Sequence, residues 1–267
     1  MTKNIQIDHG QEFDWGKTSS DYARYRDIYP REFFQRIVDL GLCTAGQKVL
    51  DLGTGTGVLP RHLARFGASF MGVDISENQI EEAKRLAQDD NLDIKFCVSP
   101  AETVLFPDNY FDVITACQCF IYIDKSILMP NIFRMLKPGG RLAILSLIWL
   151  PDESTIAKQS EMLVLKYNPM WTGAGYQRKI PSPPVEVQEL FEVEHQIAYD
   201  LNISFTRESW NGRMRACRGV GASLSEEFIN AFDIEHQQLL KRIATEAFNI
   251  PHYVTMLILK VKNSGLF

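Results

Sequence analysis

The sequence predicts an α/β protein built on a doubly wound, mostly parallel sheet, and three observations carry that prediction. From Lys48 onward, short apolar runs alternate with stretches of helical periodicity, the pattern of a parallel sheet covered by helices on both faces. The run Val49-Leu50-Asp51-Leu52-Gly53-Thr54-Gly55-Thr56-Gly57-Val58 reads as a buried strand entering a glycine loop and then a helix, a junction suited to an anionic or polar ligand group. Asp51, Asp74, Ser99-Pro100-Ala101 and Cys117-Gln118 all fall at the carboxyl ends of predicted strands, where such sheets bind their ligands.

Taken in order, residues 8–30 are polar and aromatic, with Phe13, Trp15, Tyr22, Tyr25 and Tyr29; Tyr22, Tyr25 and Arg26 lie close on one helical face. Pro30 suits the first turn of the next helix, whose stripe of Phe33, Phe34, Ile37, Val38 and Leu40 ends at Gly41. Strands are predicted near 48–52, 69–74, 93–98, 111–117 and 141–148, and helices near 57–66, 77–88 and 125–136. Ser76, with Gln79 three residues on, fills the capping-box role for the helix after the second strand, which leaves Asp74 free to meet a ligand. Past Ile148 the periodicity weakens. A helix is expected over 154–166, a break at Pro181-Ser182-Pro183-Pro184, a short helix from Val185 to Phe191 and a strand over 193–205. Residues 206–249 read as helical, with a basic piece of Arg207, Trp210, Arg213, Arg215 and Arg218, before a closing strand at 252–262.

The glycine spacing narrows the ligand. It is G-x-G-x-G, neither the G-x-G-x-x-G of dinucleotide-binding turns nor a P-loop, which would end in Gly-Lys-Ser/Thr. Asp51 stands two residues before the first glycine, and a carboxylate there suits a cationic end such as an ammonium better than a pyrophosphate. An acid at the end of the second strand, here Asp74, suits ribose hydroxyls.

From about Lys48 to Ser146 the chain resembles the class I S-adenosylmethionine-dependent methyltransferases. Five blocks in order carry the likeness: Asp51-Leu52-Gly53-Thr54-Gly55-Thr56-Gly57, Gly72-Val73-Asp74-Ile75-Ser76, Ala101-Glu102, Phe106-Pro107-Asp108 with Phe111-Asp112-Val113-Ile114, and Leu136-Lys137-Pro138-Gly139-Gly140-Arg141-Leu142. It looks most like the small-molecule members, such as those of quinone biosynthesis or the trans-aconitate type. The resemblance implies a Rossmann-like sheet of about seven strands with an antiparallel C-terminal strand and helical insertions forming a cap. It implies S-adenosyl-L-methionine as cofactor, S-adenosyl-L-homocysteine as product and a small-molecule methyl acceptor. The cofactor contacts it implies are Tyr22, Asp51, Gly53, Thr54, Gly55, Asp74, Ile75, Gln79, Ala101, Glu102, Cys117 and Gln118. The expected organisation is an N-terminal lid and first helix (1–47), a cofactor-binding core (48–150), an insertion (151–183), and the C-terminal half of the sheet (184–267) with a cap insertion at 206–249. One departure stands out. Many resembled sequences carry a glycine-aspartate pair before Ala-Glu, whose aspartate binds the adenine amino group; here the pair is Ser99-Pro100. The Ala101 backbone N–H and the Glu102 carboxylate are left as alternatives.

Methyl transfer from a sulfonium expels a neutral leaving group, so positioning outweighs acid catalysis and no catalytic side chain is legible. His195 and His252 lie in strand-like segments, whereas His62 and His236 read as surface residues on helices. Tyr25, Tyr122, Trp149, Trp210, Arg213 and Arg215 are the candidates for binding the acceptor, with the arginines suited to a planar acidic substrate. The alternative for the arginines is a solvated helix face answering Glu226, Glu227 and Asp233.

The net charge of −5 and the pI near 5.6 argue against a nucleic-acid partner. There is no run of ~18 apolar residues for a membrane span, and Met1 to Asp8 has no apolar signal core, so a cytoplasmic monomer or homodimer is expected. Cys43, Cys97, Cys117, Cys119 and Cys217 have no metal-site spacing and read as reduced thiols, with no metal expected. Two rival classes stay open: a catalytically silent module that binds S-adenosylmethionine or a partner, and a nucleotide-dependent oxidoreductase.

Overall fold

The computed structural model describes residues 7–185 and 189–262. Seven strands form one sheet: β1 (Lys48–Leu52), β2 (Ser69–Asp74), β3 (Lys95–Val98), β4 (Phe111–Cys117), β5 (Leu136–Trp149), β6 (Phe191–Thr206) and β7 (Ala247–Val261). Their order is β3-β2-β1-β4-β5-β7-β6. The first five pair in parallel, and the C-terminal strand is antiparallel, so the sheet is Rossmann-like and mixed. Strand order reverses between β1 and β4, and in such sheets the crevice at that reversal receives the ligand.

The helices follow from local chemistry. α1 (Ser19–Tyr25) is short; α2 (Arg31–Asp39) starts one residue after Pro30, which is extended and serves as the N-cap. Phe33, Phe34 and Ile37 form the buried stripe of α2, and Gly41, at φ 72°, ends it by donating to the Val38 carbonyl. α3 (Val58–Leu63) is shorter than its predicted span because a 3-10 turn, Ala64–Phe66, replaces its last turn. α4 (Glu77–Asp89) is capped by Ser76, whose hydroxyl accepts from the Gln79 N–H, and α5 (Lys125–Met135) is capped by Asp124. α6 (Thr155–Tyr167) is capped by Ser154, α7 (Arg207–Arg215) by Thr206 and α8 (Glu226–Ile243) by Ser225.

Several sequence expectations need correction. β5 starts five residues before its predicted span, at Leu136, and the register slips between Phe111 and Val113, which face Leu136 and Arg141. Residues 206–249 are not continuously helical: α7 stops at Arg215, and the chain turns where the Gly221 N–H bonds the Arg215 carbonyl. β7 then opens at Ala247, inside the span read as helix. The short helix expected from Val185 to Phe191 lies partly outside the described residues, at 186–188, and Phe191 opens β6 instead.

The described chain divides into two compact units. One takes 29–146, 180–185, 189–198 and 255–262; the other takes 7–28, 147–179 and 199–254. β5, β6 and β7 contribute residues to both. In the first unit, Leu50, Leu52, Ile114, Leu128, Ile132 and Leu142 are among the residues of one buried apolar core. Arg141 pairs with Glu194 at 2.6 Å, and Ser146 shares a 2.6 Å hydrogen bond with Thr255.

The second unit packs around a buried polar chain that the sequence did not announce. The Trp210 indole N–H donates to Ser160 Oγ (2.9 Å), which lies 2.9 Å from His236 Nε2; His236 Nδ1 lies 2.7 Å from Asn211 Oδ1. Asn211 donates its amide N–H to Asp233 (2.7 Å), so its oxygen faces the imidazole and Nδ1 carries the proton. Nε2 is then the acceptor, and the Ile156 carbonyl, 2.8 Å from the Ser160 hydroxyl, competes for the same hydrogen. Contrary to the surface position that its helix pattern predicts, His236 is fully buried. Burial pushes its pKa down to about 4, against a smaller opposing pull from Asp233.

The sign of the resulting pH dependence is fixed. An unfolded histidine protonates near pH 6.5, whereas the folded one stays neutral until about 4. The unfolded state therefore holds more protons in that window, and acidification costs stability. Between pH 4 and 6.5, the slope of unfolding free energy against pH should be steeper in the wild type than in His236→Gln, by up to about 1.4 kcal/mol per pH unit. Denaturant titrations at several pH values read this difference, and equal slopes would refute it.

Candidate functional site

The first unit brings the glycine loop and the strand tips together. Asp51 and Leu52 end β1, and Gly53, Gly55 and Gly57 follow at φ 58°, 55° and 73°. That left-handed region is costly for residues with a Cβ, which explains glycine at Gly53 and at Gly57, the N-cap of α3. The Thr54 N–H donates to the Val73 carbonyl and the Gly57 N–H to the Thr54 carbonyl, both at 2.9 Å. Neither Asp74 oxygen is free of local bonds, contrary to expectation: one accepts from the Gly55 N–H and the other from the Ser76 N–H, each at 2.9 Å. Asp74 thus ties the tip of β2 to the glycine loop. Asp74 is half-buried, and its carboxylate keeps lone pairs for a further donor. Burial raises its pKa, and the N–H bonds from Ser76 and Gly55 oppose that shift.

Asp51 lies deeper than a residue at an open mouth. It is 2% exposed and accepts from the Thr115 hydroxyl at 2.5 Å, its register partner on β4. Burial lifts its carboxyl to a pKa of about 6. Gln79 and Thr54 are buried as well, and Ala101 is 9% exposed. Glu102 accepts from the Asp124 N–H at 3.2 Å, and its backbone carbonyl takes the Asn131 amide. Around the tips of β2 and β3 two apolar side chains stand in solvent, Ile75 at 48% and Val98 at 50% exposure, and Val98 is the register partner of Asp74. At the tip of β4, the Cys117 thiol lies 3.5 Å from the Tyr29 hydroxyl, and Gln118 takes a φ of 63° while its N–H bonds the Leu145 carbonyl. Tyr122 is half-buried in the 3-10 turn Phe120–Tyr122.

The remaining candidates fall in the second unit. The Tyr22 ring receives the Arg26 guanidinium at 4.5 Å. The Tyr25 ring packs on Gly212, where an added Cβ would lie 2.3 Å from it, and its hydroxyl donates to Glu208. Trp149 donates to Glu161 at 2.6 Å and carries the Arg213 guanidinium 4.7 Å above its ring. Trp210 is fully buried and Arg213 is 3% exposed, so neither belongs to a solvated helix face. Arg215 is held by Asp21, at 2.5 and 2.7 Å, and by Asp233. His252 is buried with its pKa lowered to about 4, chiefly by burial, and its Nδ1 faces the Ile250 carbonyl.

Two contributors went unseen in the sequence. Thr115 becomes visible as a partner of Asp51 only once the parallel register of β1 and β4 is known. Cys119, one of the five thiols to which the sequence assigns no role, donates from Sγ to the Leu52 carbonyl at 3.0 Å, next to the first glycine of the loop.

Residues 50–144 match a family model described as a methyltransferase domain. The demethylmenaquinone methyltransferase of Thermus thermophilus is 36% identical over 114 residues, which make up 42% of this chain and 52% of that protein. The chain spans about half the length of the curated relatives it matches. Among solved structures, the YcgJ protein of Bacillus subtilis aligns with a TM-score of 0.53 at 18% identity, over 88% of this chain and 100% of its own. A [4+2]-cyclase, SpnF, aligns with a TM-score of 0.51 at 18% identity, over 86% and 80% respectively. At these identities the structures are alike in fold alone.

Proposed function

We propose that the chain is an S-adenosylmethionine-dependent methyltransferase that acts on a small molecule. The observation that carries this reading is the half-buried Asp74 at the tip of β2, whose carboxylate is bonded to the glycine loop that leaves β1. The residues present fit the nucleoside: an acid with spare lone pairs suits ribose hydroxyls, and exposed Ile75 and Val98 beside it suit a planar base. Asp51, buried at the end of β1 just before the loop, would add negative charge suited to the cationic amino-acid end. The matched methyltransferase domain and the relative named as acting in menaquinone chemistry support the same reading.

Bound S-adenosylmethionine would supply a methyl group on a sulfonium, leaving a neutral thioether after transfer. Because the leaving group needs no proton, the protein's contribution is to bind, orient and exclude water, worth about 7–11 kcal/mol in well-aligned reactions. Asp74 and the backbone of residues 53–57 hold the nucleoside in this scheme, and no side chain is assigned as a base. Among the described residues no helix is long and apolar enough to cross a membrane.

Because a protein named as a cyclase shares the fold, binding and turnover are tested separately. Calorimetry with S-adenosylhomocysteine should give saturable binding with a Kd within about 1 µM to 1 mM. Transfer of labelled methyl from S-adenosylmethionine to a panel of quinols, small acids and phenols should then yield product. Absence of binding would refute the cofactor assignment. Binding without transfer to any acceptor would favour a silent module.

A further inference from the structure

We infer that Cys119 is a positioning residue for the glycine loop, and that the size of the side chain at this position sets whether the loop can hold the nucleoside. The inference rests on the cofactor reading above and extends it to a residue that none of the five sequence blocks contains. Three observations converge. Gln118 takes a left-handed φ of 63°, which folds the chain sharply back after β4, and its N–H is anchored on the Leu145 carbonyl at 3.0 Å. Cys119 is thereby delivered to the end of β1, where its thiol donates to the Leu52 carbonyl at 3.0 Å. Finally, a Cβ built on Gly53 would lie 2.5 Å from Cys119 Cβ and 2.8 Å from its Sγ.

The first glycine of the loop is therefore required by a side chain of the protein as well as by its own φ of 58°. The two positions are complementary: one has no side chain so that the other can have a small one. The thiol is suited to its place because it must remain a donor. Burial and the neighbouring acid Asp51 push its pKa well above the usual thiol value. A serine can make the same bond to Leu52, whereas a longer side chain has only the loop to displace. Asp74 fixes the loop at Gly55 from the β2 side, and Cys119 fixes its start at the Leu52 carbonyl from the β4 side.

The test is a titration with S-adenosylhomocysteine, with folding of each protein monitored by circular dichroism at the same temperature. Cys119→Ser should bind within about threefold of wild type, while Cys119→Leu and Gly53→Ala should each bind at least about 30-fold more weakly although folded. The double variant Gly53→Ala/Cys119→Gly should recover at least about tenfold over Gly53→Ala, a coupling that independent contributions to stability would not produce. If Cys119→Leu does not fold, the double variant decides alone. Wild-type affinity in Cys119→Leu, or no recovery in the double variant, overturns the inference while leaving the cofactor reading intact. No binding by the wild type itself overturns both.

Discussion

Asp74→Ala should bind S-adenosylhomocysteine at least about 100-fold more weakly than wild type, a loss on the order of 3 kcal/mol. The size of the effect follows from the two jobs of one carboxylate. It accepts the Gly55 N–H and the Ser76 N–H, each at 2.9 Å, so alanine releases the loop and the turn before α4 together. It also removes the acceptor for the ribose hydroxyls in the proposed complex, and each hydrogen bond to a charged group is worth about 1.5–3 kcal/mol. Asp74→Asn should do little better, because its amide NH2 would face one of the two backbone N–H donors. Calorimetry on both variants, after circular dichroism has shown them folded, reads the effect. Wild-type affinity in Asp74→Ala would refute the assignment of this residue.

A second large effect is expected in the other unit, on stability rather than on binding. Trp210→Ala should cost about 3–5 kcal/mol of unfolding free energy, the range for deleting a large aromatic from a core. Trp210 is fully buried and meets Trp149 and Phe205 edge-on, with ring centroids 5.7 and 4.9 Å away. Its indole N–H also begins the chain through Ser160, His236 and Asn211 to Asp233. Trp210→Phe keeps much of the apolar contact and loses the donor, so its cost should lie well below that of alanine, with about 1 kcal/mol from the missing hydrogen bond. Urea titrations give both values. A loss under about 1 kcal/mol for alanine would mean that the site collapses around the missing ring far more completely than cores usually do.

The two units were unequally legible in the sequence, for physical reasons. Around the glycine loop the information is local. A short apolar run marks β1, glycines mark backbone that must be left-handed, and Asp74 ends a short strand, so these boundaries match those read from the residues. What local patterns cannot show is which side chains meet across strands. Thr115 reaches Asp51 only through the register of β4 on β1, and Cys119 reaches Gly53 only through the left-handed turn at Gln118. Nor could spacing reveal that Asp74 would be engaged by two backbone N–H groups. In the second unit the contacts are distant in sequence. His236 sits on a helix of mixed polarity and looks solvated until Ser160 and Asn211 are placed beside it. The arginines at 213 and 215 resembled one basic face, yet one lies over Trp149 and the other is held by two aspartates. A break such as Ala216 to Ser225 is hard to see because its residues are mostly buried and lack the polar composition of an ordinary loop.

The way the loop is fastened bears on how such a site can be moved or copied. Its shape is imposed by a carboxylate arriving from one neighbouring strand and a thiol arriving from the other, with Gly53, Gly55 and Gly57 merely permitting it. Grafting residues 51–57 onto another α/β scaffold would transfer the letters without the clamp. The smallest transplantable piece is the trio of adjacent strand tips, β2, β1 and β4, carried together with their register.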